Sequence, residues 1–170
     1  MQGKNITIAG FTLMELLLYV GIASVMLFIS SLLLSTLLKS RVKNQTISEV
    51  EQQGLQVMQM ITRTMRNSET LNAPLLGETG GSLSLNTPDT AEDPTLFYIS
   101  DDAIVIQEGS GNAIALTNSR VIASDLSFKN LSHTDTPGSV RISFTLTHKN
   151  PLNWNEYDFD KTFFAGASLR

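Results

Sequence analysis

The apolar and polar positions divide the chain into three stretches with different periods. Residues 11–38 are apolar almost without interruption, and Glu15 is the one ionised side chain among them. A run of this length exceeds the ~20 apolar residues that a helix needs to cross the hydrocarbon core of a bilayer. The pattern therefore predicts a membrane helix over residues 11–38, preceded by a short segment, residues 1–10, that contains Lys4.

Helical periodicity continues past the apolar run but becomes one-sided. Apolar or small residues then lie within an arc of about 100° at 3.6 residues per turn, and polar residues lie opposite. The apolar face consists of Ile47, Val50, Gly54, Val57, Met58, Ile61 and Met65, and the polar face of Gln52, Gln56, Gln59, Arg63 and Asn67. No proline interrupts residues 11–67, so we predict a continuous helix whose amphipathic extension, residues 39–70, packs against a soluble domain.

Beyond Asn72-Ala73-Pro74 the period changes to two, which is typical of β-strands separated by turns. The predicted strands are a segment beginning with Leu83 and Leu85, residues 95–100, 103–107 and 113–117, a segment around Leu126 and Phe128, residues 140–147, and residues 157–163. Residues 77–94, rich in Gly, Thr, Pro and acids, predict a surface loop with at most one short strand. The chain is thus predicted to be an α+β protein, with a long N-terminal helix packed on an antiparallel β-sheet formed by residues 71–170.

The carboxylate of Glu15 needs a partner. An ionised side chain in a membrane helix costs about 2.5–3.5 kcal/mol at the bilayer centre. If the chain were cut after Gly10, Phe11 would gain an α-amino group about one helical turn from Glu15. Amine and carboxylate could then neutralise each other, within one chain or between neighbouring chains.

The residues around this pair form a recognisable motif. A short leader with Lys4, then Ala9-Gly10 and Phe11-Thr12-Leu13-Met14-Glu15-Leu16, resembles the class III signal of bacterial type IV prepilins and type II secretion pseudopilins. The resemblance implies that residues 1–10 are a leader peptide that prepilin peptidase removes after Gly10, that Phe11 is then N-methylated, and that Glu15 forms the salt bridge that aligns each subunit with the next.

The same resemblance implies a fold, partners and a location. It implies a pilin-like fold, and as partners the prepilin peptidase, other pilin or pseudopilin subunits through helix–helix packing, an inner-membrane assembly platform and membrane lipid. It implies a single-pass inner-membrane protein with an extracytoplasmic C-terminal domain, later part of a pilus or pseudopilus. The chain has no cysteine, whereas many major pilins have a C-terminal disulfide loop, so a minor subunit is expected.

The basic residues beside the apolar run favour the opposite orientation. Lys4 and the amino terminus precede the run, while Lys39, Arg41 and Lys43 follow it, and basic residues usually stay cytoplasmic. We give the resemblance precedence, because the prepilin peptidase acts at the cytoplasmic face.

Composition argues against several other functions. A net charge of −4 and a pI near 5.1 provide no basic footprint for nucleic acid. The two histidines, His133 and His148, each lie in a polar stretch and are expected at the surface, and no nucleophile motif is found, so neither an enzyme nor a cofactor is expected. Asp101-Asp102 and Glu92-Asp93 could bind calcium but lack EF-hand spacing, so solvated turns and no metal site are expected.

Two other classes of protein remain open at this point. The first is a membrane-tethered extracytoplasmic binding domain or adhesin whose anchor is merely pilin-like. The second is a tethered hydrolase, for which the sequence shows no nucleophile and base. An intact mass separates the filament subunit from the simple tether, because cleavage after Gly10 and methylation at Phe11 are expected of the subunit alone.

Overall fold

The computed structural model describes residues 12–134 and 136–169. Helix α1 extends from Leu13 to Asn67. It ends where the amide of Ser68 donates to the carbonyl of Met65 and the Ser68 hydroxyl donates to the carbonyl of Thr64. The chain divides into two compact units, Met1–Arg41 and Val42–Arg170.

The described part of the first unit is the beginning of α1. Between Leu13 and Leu38 every large apolar side chain is at least 50% exposed. Helix α1 is the one helix in the described chain that is long and apolar enough to cross a membrane. Because water does not favour a helix that is apolar on all sides, this segment is compatible with a single-pass membrane anchor.

In the second unit α1 is amphipathic, as predicted. Its buried positions follow the helical period and are Thr46, Val50, Gly54, Val57, Ile61 and Met65. All the residues assigned to the polar face are exposed. The predicted apolar face is thus confirmed, with Ile47 and Met58 half-buried at its margins.

Nine strands in the described chain form two antiparallel sheets. The first sheet has the order β1-β3-β4-β5-β6, and the second has the order β2-β7-β8-β9. The strands are β1 Thr70–Ala73, β2 Thr79–Gly80, β3 Leu83–Asn86, β4 Thr95–Ser100, β5 Ala103–Glu108, β6 Ile114–Ala115, β7 Val121–Asn130, β8 Ser139–His148 and β9 Asp160–Ser168.

One hydrophobic core joins α1 and both sheets. Its fully buried aromatic side chains are Phe97 from the first sheet and Phe128 and Phe144 from the second. The predicted α+β class, a long N-terminal helix packed on antiparallel strands, is therefore confirmed, and the arrangement is consistent with a pilin-like fold. The single predicted sheet is corrected to two, because the two-residue β6 closes the first sheet and the ten-residue β7 pairs with β8 instead.

The observed strands agree with the predicted ones where a turn lies at each end of the alternating apolar and polar residues. Strands β4 and β8 match closely, and β5 is one residue longer than predicted. Four predictions were wrong in detail, and the first concerns β6, which covers Ile114–Ala115 instead of residues 113–117. Strand β9 begins at Asp160 instead of residue 157, residues 77–94 contain two strands, β2 and β3, instead of at most one, and β1 was not predicted.

Candidate functional site

The first turn of α1 is capped by Thr12. The amide of Glu15 donates to the Thr12 carbonyl at 3.1 Å and to the Thr12 hydroxyl at 3.3 Å. Thr and Glu three residues apart have the spacing of a capping box. The sequence analysis did not assign Thr12 a role, although the Thr-x-x-Glu spacing was the signal that could have found it.

Glu15 is partly exposed and lies in the first turn of α1. A carboxylate there is favoured by the positive end of the helix dipole. Thr12 binds the amide of Glu15, not its carboxylate. The other two predicted site residues, Gly10 and Phe11, lie outside the described residues, so the proposed pairing of Glu15 with the Phe11 amine stays a prediction.

The polar groups along the apolar part of α1 are partly satisfied within the helix. The hydroxyls of Ser24, Ser30 and Thr36 each donate to the carbonyl four residues earlier, at 2.8–3.0 Å. Each bond gives the hydroxyl donor a partner within the helix, so that it is not left unpaired in an apolar environment. At Gly21 a Cβ would meet no atom within 4 Å. Because the glycine has no side chain, the backbone of a neighbouring helix could approach closely there.

Within the second unit, α1 packs directly against β9 at Gly54. A Cβ at Gly54 would overlap the ring of Phe163. That ring stacks on Phe144 with centroids 5.4 Å apart, and the side chains of Phe144 and Phe163 are both buried. The glycine therefore lets the helix lie directly on an aromatic pair in the second sheet.

A polar cluster beside this contact is centred on Glu49. Its carboxylate accepts from Asn118 Nδ2 at 2.9 Å, lies 3.6 Å from Arg120 Nη1, and lies 3.8 Å from His148 Nε2. One turn further on, Gln53 Oε1 accepts from the Asn118 amide at 2.9 Å. These contacts join α1 to the start of β7 and the end of β8.

His148 contradicts the expectation of two surface histidines. Its side chain is only 9% exposed, and its Nδ1 has no hydrogen-bond partner in the described part of the chain. The reason is register: His148 continues the inward-facing positions of β8 after Phe144 and Leu146. His133 is exposed, as predicted.

The acidic pairs occupy turns and loops. Asp101 and Asp102 are exposed and connect β4 to β5 with φ angles of 49° and 63°, the left-handed conformation of a tight hairpin turn. Asp93 accepts the amide of Thr87 at 3.3 Å. Within residues 12–134 and 136–169, no group of three or more His, Asp or Glu side chains is placed to hold a metal ion.

Lys43 joins α1 to the loop between β8 and β9. Its Nζ donates to the carbonyls of Asn155 and Asp158 at 3.0 and 2.8 Å. In the same loop Trp154 stacks on Tyr157, and Tyr157 stacks on His148, with centroid distances of 6.2 and 5.5 Å. The loop is thus held by a cation on one side and an aromatic stack on the other.

Comparison with known proteins gives no family for this chain. No family model, no curated protein and no solved structure matches it. The first unit has an apolar helix with a capped acidic first turn, and an exposed apolar helix of this kind is suited to packing against other helices. In the second unit, the glycine–aromatic contact and the polar cluster attach the amphipathic part of α1 to the strands.

Proposed function

We propose that this chain is a structural subunit, in particular a minor subunit, of a type IV pilus or a type II secretion pseudopilus. The observation that supports this proposal best is the apolar part of α1. Its large side chains are exposed on every side, while its single acid, Glu15, lies in the first turn. A helix that only anchors a protein in a membrane needs the apolar surface but not the acid, whereas a helix that packs against neighbouring subunits would use both.

In the proposed mechanism the apolar helix first resides in the inner membrane and then packs among the helices of other subunits. Lipid and protein surroundings are similarly apolar, so transfer between them provides little driving force, and packing and polar contacts must give specificity. After cleavage behind Gly10, the amine of Phe11 would neutralise the Glu15 carboxylate. Thr12 binds the amide of Glu15 and not its carboxylate, so Thr12 does not compete with the charged partner.

The mass of the mature chain tests the processing step. We expect material isolated from its native host to begin at Phe11 and to have the additional mass of one methyl group. A chain that still begins at Met1 would contradict the filament proposal and would favour the alternative, a membrane-tethered binding or adhesin domain with a pilin-like anchor.

Removal of the acid tests the assembly step. Glu15→Ala should leave membrane insertion intact, because it makes the span more apolar, but should lower recovery of the chain in sheared filaments. Glu78→Ala is a suitable control, because Glu78 is an exposed acid in the β domain and should not affect recovery. Equal recovery of Glu15→Ala and the unaltered chain would contradict the pairing of Glu15 with a subunit amine.

A further inference from the structure

The loop between β8 and β9 exposes two large apolar side chains. Leu152 is 67% exposed and Trp154 is 54% exposed, in a segment that connects two long strands of the second sheet. Apolar side chains that together form an exposed patch can mark a contact with a partner or a membrane.

The backbone at Trp154 is already satisfied inside the loop. The side chain of Asn150 binds both backbone polar groups of Trp154. Asn150 Nδ2 donates to the Trp154 carbonyl at 2.8 Å, and the Trp154 amide donates to Asn150 Oδ1 at 2.9 Å. The amide of Tyr157 also donates to the Trp154 carbonyl, at 3.1 Å. Because buried backbone groups without partners are costly, this internal bonding lowers the cost of moving the loop tip out of water.

The covalent chain limits how far this loop can lie from the end of the apolar run. Lys43, which binds the loop at Asn155 and Asp158, follows Leu38 by five residues. Five residues extend at most about 18 Å, whatever the direction of the chain between them. The interfacial layer of a bilayer adds about 5–8 Å on each side of the hydrocarbon core, so the loop is within reach of the surface from which the span emerges.

We infer that the loop from Asn150 to Asp158 is a lipid-contacting element, with Trp154 and Leu152 lying in the headgroup layer of the bilayer that holds residues 11–38. Tryptophan and tyrosine favour this layer because each combines an apolar ring with a polar group. The inference rests on the membrane anchoring in the proposed function and is independent of filament assembly.

Trp154 can report its own surroundings, because it is the single tryptophan of the chain. The test uses the full chain reconstituted at one copy per lipid nanodisc, so that no neighbouring subunit is present. We expect lipids brominated near the headgroup to remove most of the Trp154 emission, and aqueous acrylamide to quench it weakly.

A matched control moves the tryptophan to the opposite end of the second unit. Leu76 is 56% exposed, close to the value for Trp154, and follows the end of α1 at Asn67, about 37 Å along the helix from Val42. In the double variant Trp154→Phe/Leu76→Trp we expect the reverse behaviour, with strong quenching by acrylamide and little by brominated lipid.

The outcomes separate this inference from the anchor on which it rests. If the chain stays in the nanodisc but Trp154 is quenched by acrylamide and not by brominated lipid, the lipid contact is overturned and the anchor stands. Equal lipid quenching at both positions also overturns it, because the contact would not be specific to the loop. Protection of Trp154 only when several copies share a disc would assign the loop to a neighbouring subunit, and a chain that does not enter nanodiscs would overturn anchor and inference together.

Discussion

Gly54 shows how one missing side chain sets the position of a helix. A glycine inside a helix costs about 1 kcal/mol relative to alanine, so Gly54→Ala would stabilise an isolated α1. In the folded chain the added methyl group would overlap the buried ring of Phe163. Overpacking of a core costs about 1–3 kcal/mol, so we expect Gly54→Ala to lower the free energy of unfolding of the full chain in detergent, measured by denaturant titration.

Two further variants show whether the ring is responsible. Gly21→Ala is the matched control, because a Cβ there meets no atom within 4 Å, and we expect no loss of stability. Phe163→Leu in the Gly54→Ala background should restore part of the loss by removing the ring. Unchanged stability of Gly54→Ala would show that the helix does not lie this close to β9.

Glu49 and Glu51 allow a comparison of two acids on the same helix. Glu51 forms one ion pair, with Lys161 at 2.5 Å, and both side chains are more than 40% exposed. Glu49 is 18% exposed and faces Asn118, Arg120 and His148. We expect Glu51→Ala to cost at most about 1 kcal/mol, as is usual for exposed pairs.

Glu49→Ala should cost more, about 1–3 kcal/mol, because it removes a carboxylate that is only 18% exposed, accepts from Asn118 and faces the buried His148. Both variants are compared by denaturant titration at low and high salt, and the effect of Glu51→Ala should shrink with added salt by a larger fraction than that of Glu49→Ala, because both members of the Glu51 pair are exposed. Equal losses for the two variants would show that the Glu49 cluster is not an important attachment of α1 to the strands.

At the scale of elements, the sequence predicted best where the pattern is local. Strand β4 was predicted to the residue, because its alternation ends at the Asp101-Asp102 turn. Strands β1 and β2 were missed, because they are four and two residues long and their pairing with β3 and β7 leaves no period in such short segments. Strand β9 was placed three residues too early, because Tyr157 and Phe159 continue its period of two although both lie in the loop that binds Lys43.

The site was predicted less completely than the fold. Glu15 was identified from its isolation in an apolar run, but Thr12 was overlooked, and the burial of His148 was visible only as a continuation of the β8 period into a polar segment. The contacts of Glu49 and Lys43 join residues about 70 to 115 positions apart. A local sequence pattern does not predict which residues pair over such a distance.

The bond from Lys43 to the β8–β9 loop is an element-scale contact that can be tested directly. Lys43→Met keeps much of the length of the side chain but removes the donor to Asn155 and Asp158. We expect faster amide hydrogen exchange in residues 153–159 and little change in β7 and β8, because loss of a local contact promotes local opening. Lys149→Met, at an exposed lysine of the same loop, is the control and should leave exchange unchanged. Exchange that is equally slow in Lys43→Met would show that other contacts hold the loop.

At the scale of the whole molecule, orientation in the membrane is the property on which two sequence signals disagree. The prepilin-like motif implies an extracytoplasmic β domain, whereas Lys39, Arg41 and Lys43 favour a cytoplasmic one. In the structure the Lys43 ammonium donates to loop carbonyls in the folded domain. Because this contact also accounts for a lysine at position 43, the basic residues are weaker evidence for a cytoplasmic β domain.

The absence of cysteine makes the orientation measurable with one introduced thiol. Asn112 is exposed in the turn between β5 and β6, so Asn112→Cys should fold normally and present its thiol to solvent. We expect a membrane-impermeant maleimide to label this variant in intact spheroplasts as fully as in lysed ones, because an extracytoplasmic β domain is accessible without lysis. The unaltered chain, which has no thiol, is the control for background. Labelling that appears only after lysis would place the β domain in the cytoplasm, and a filament subunit could not then be assembled outward from the membrane.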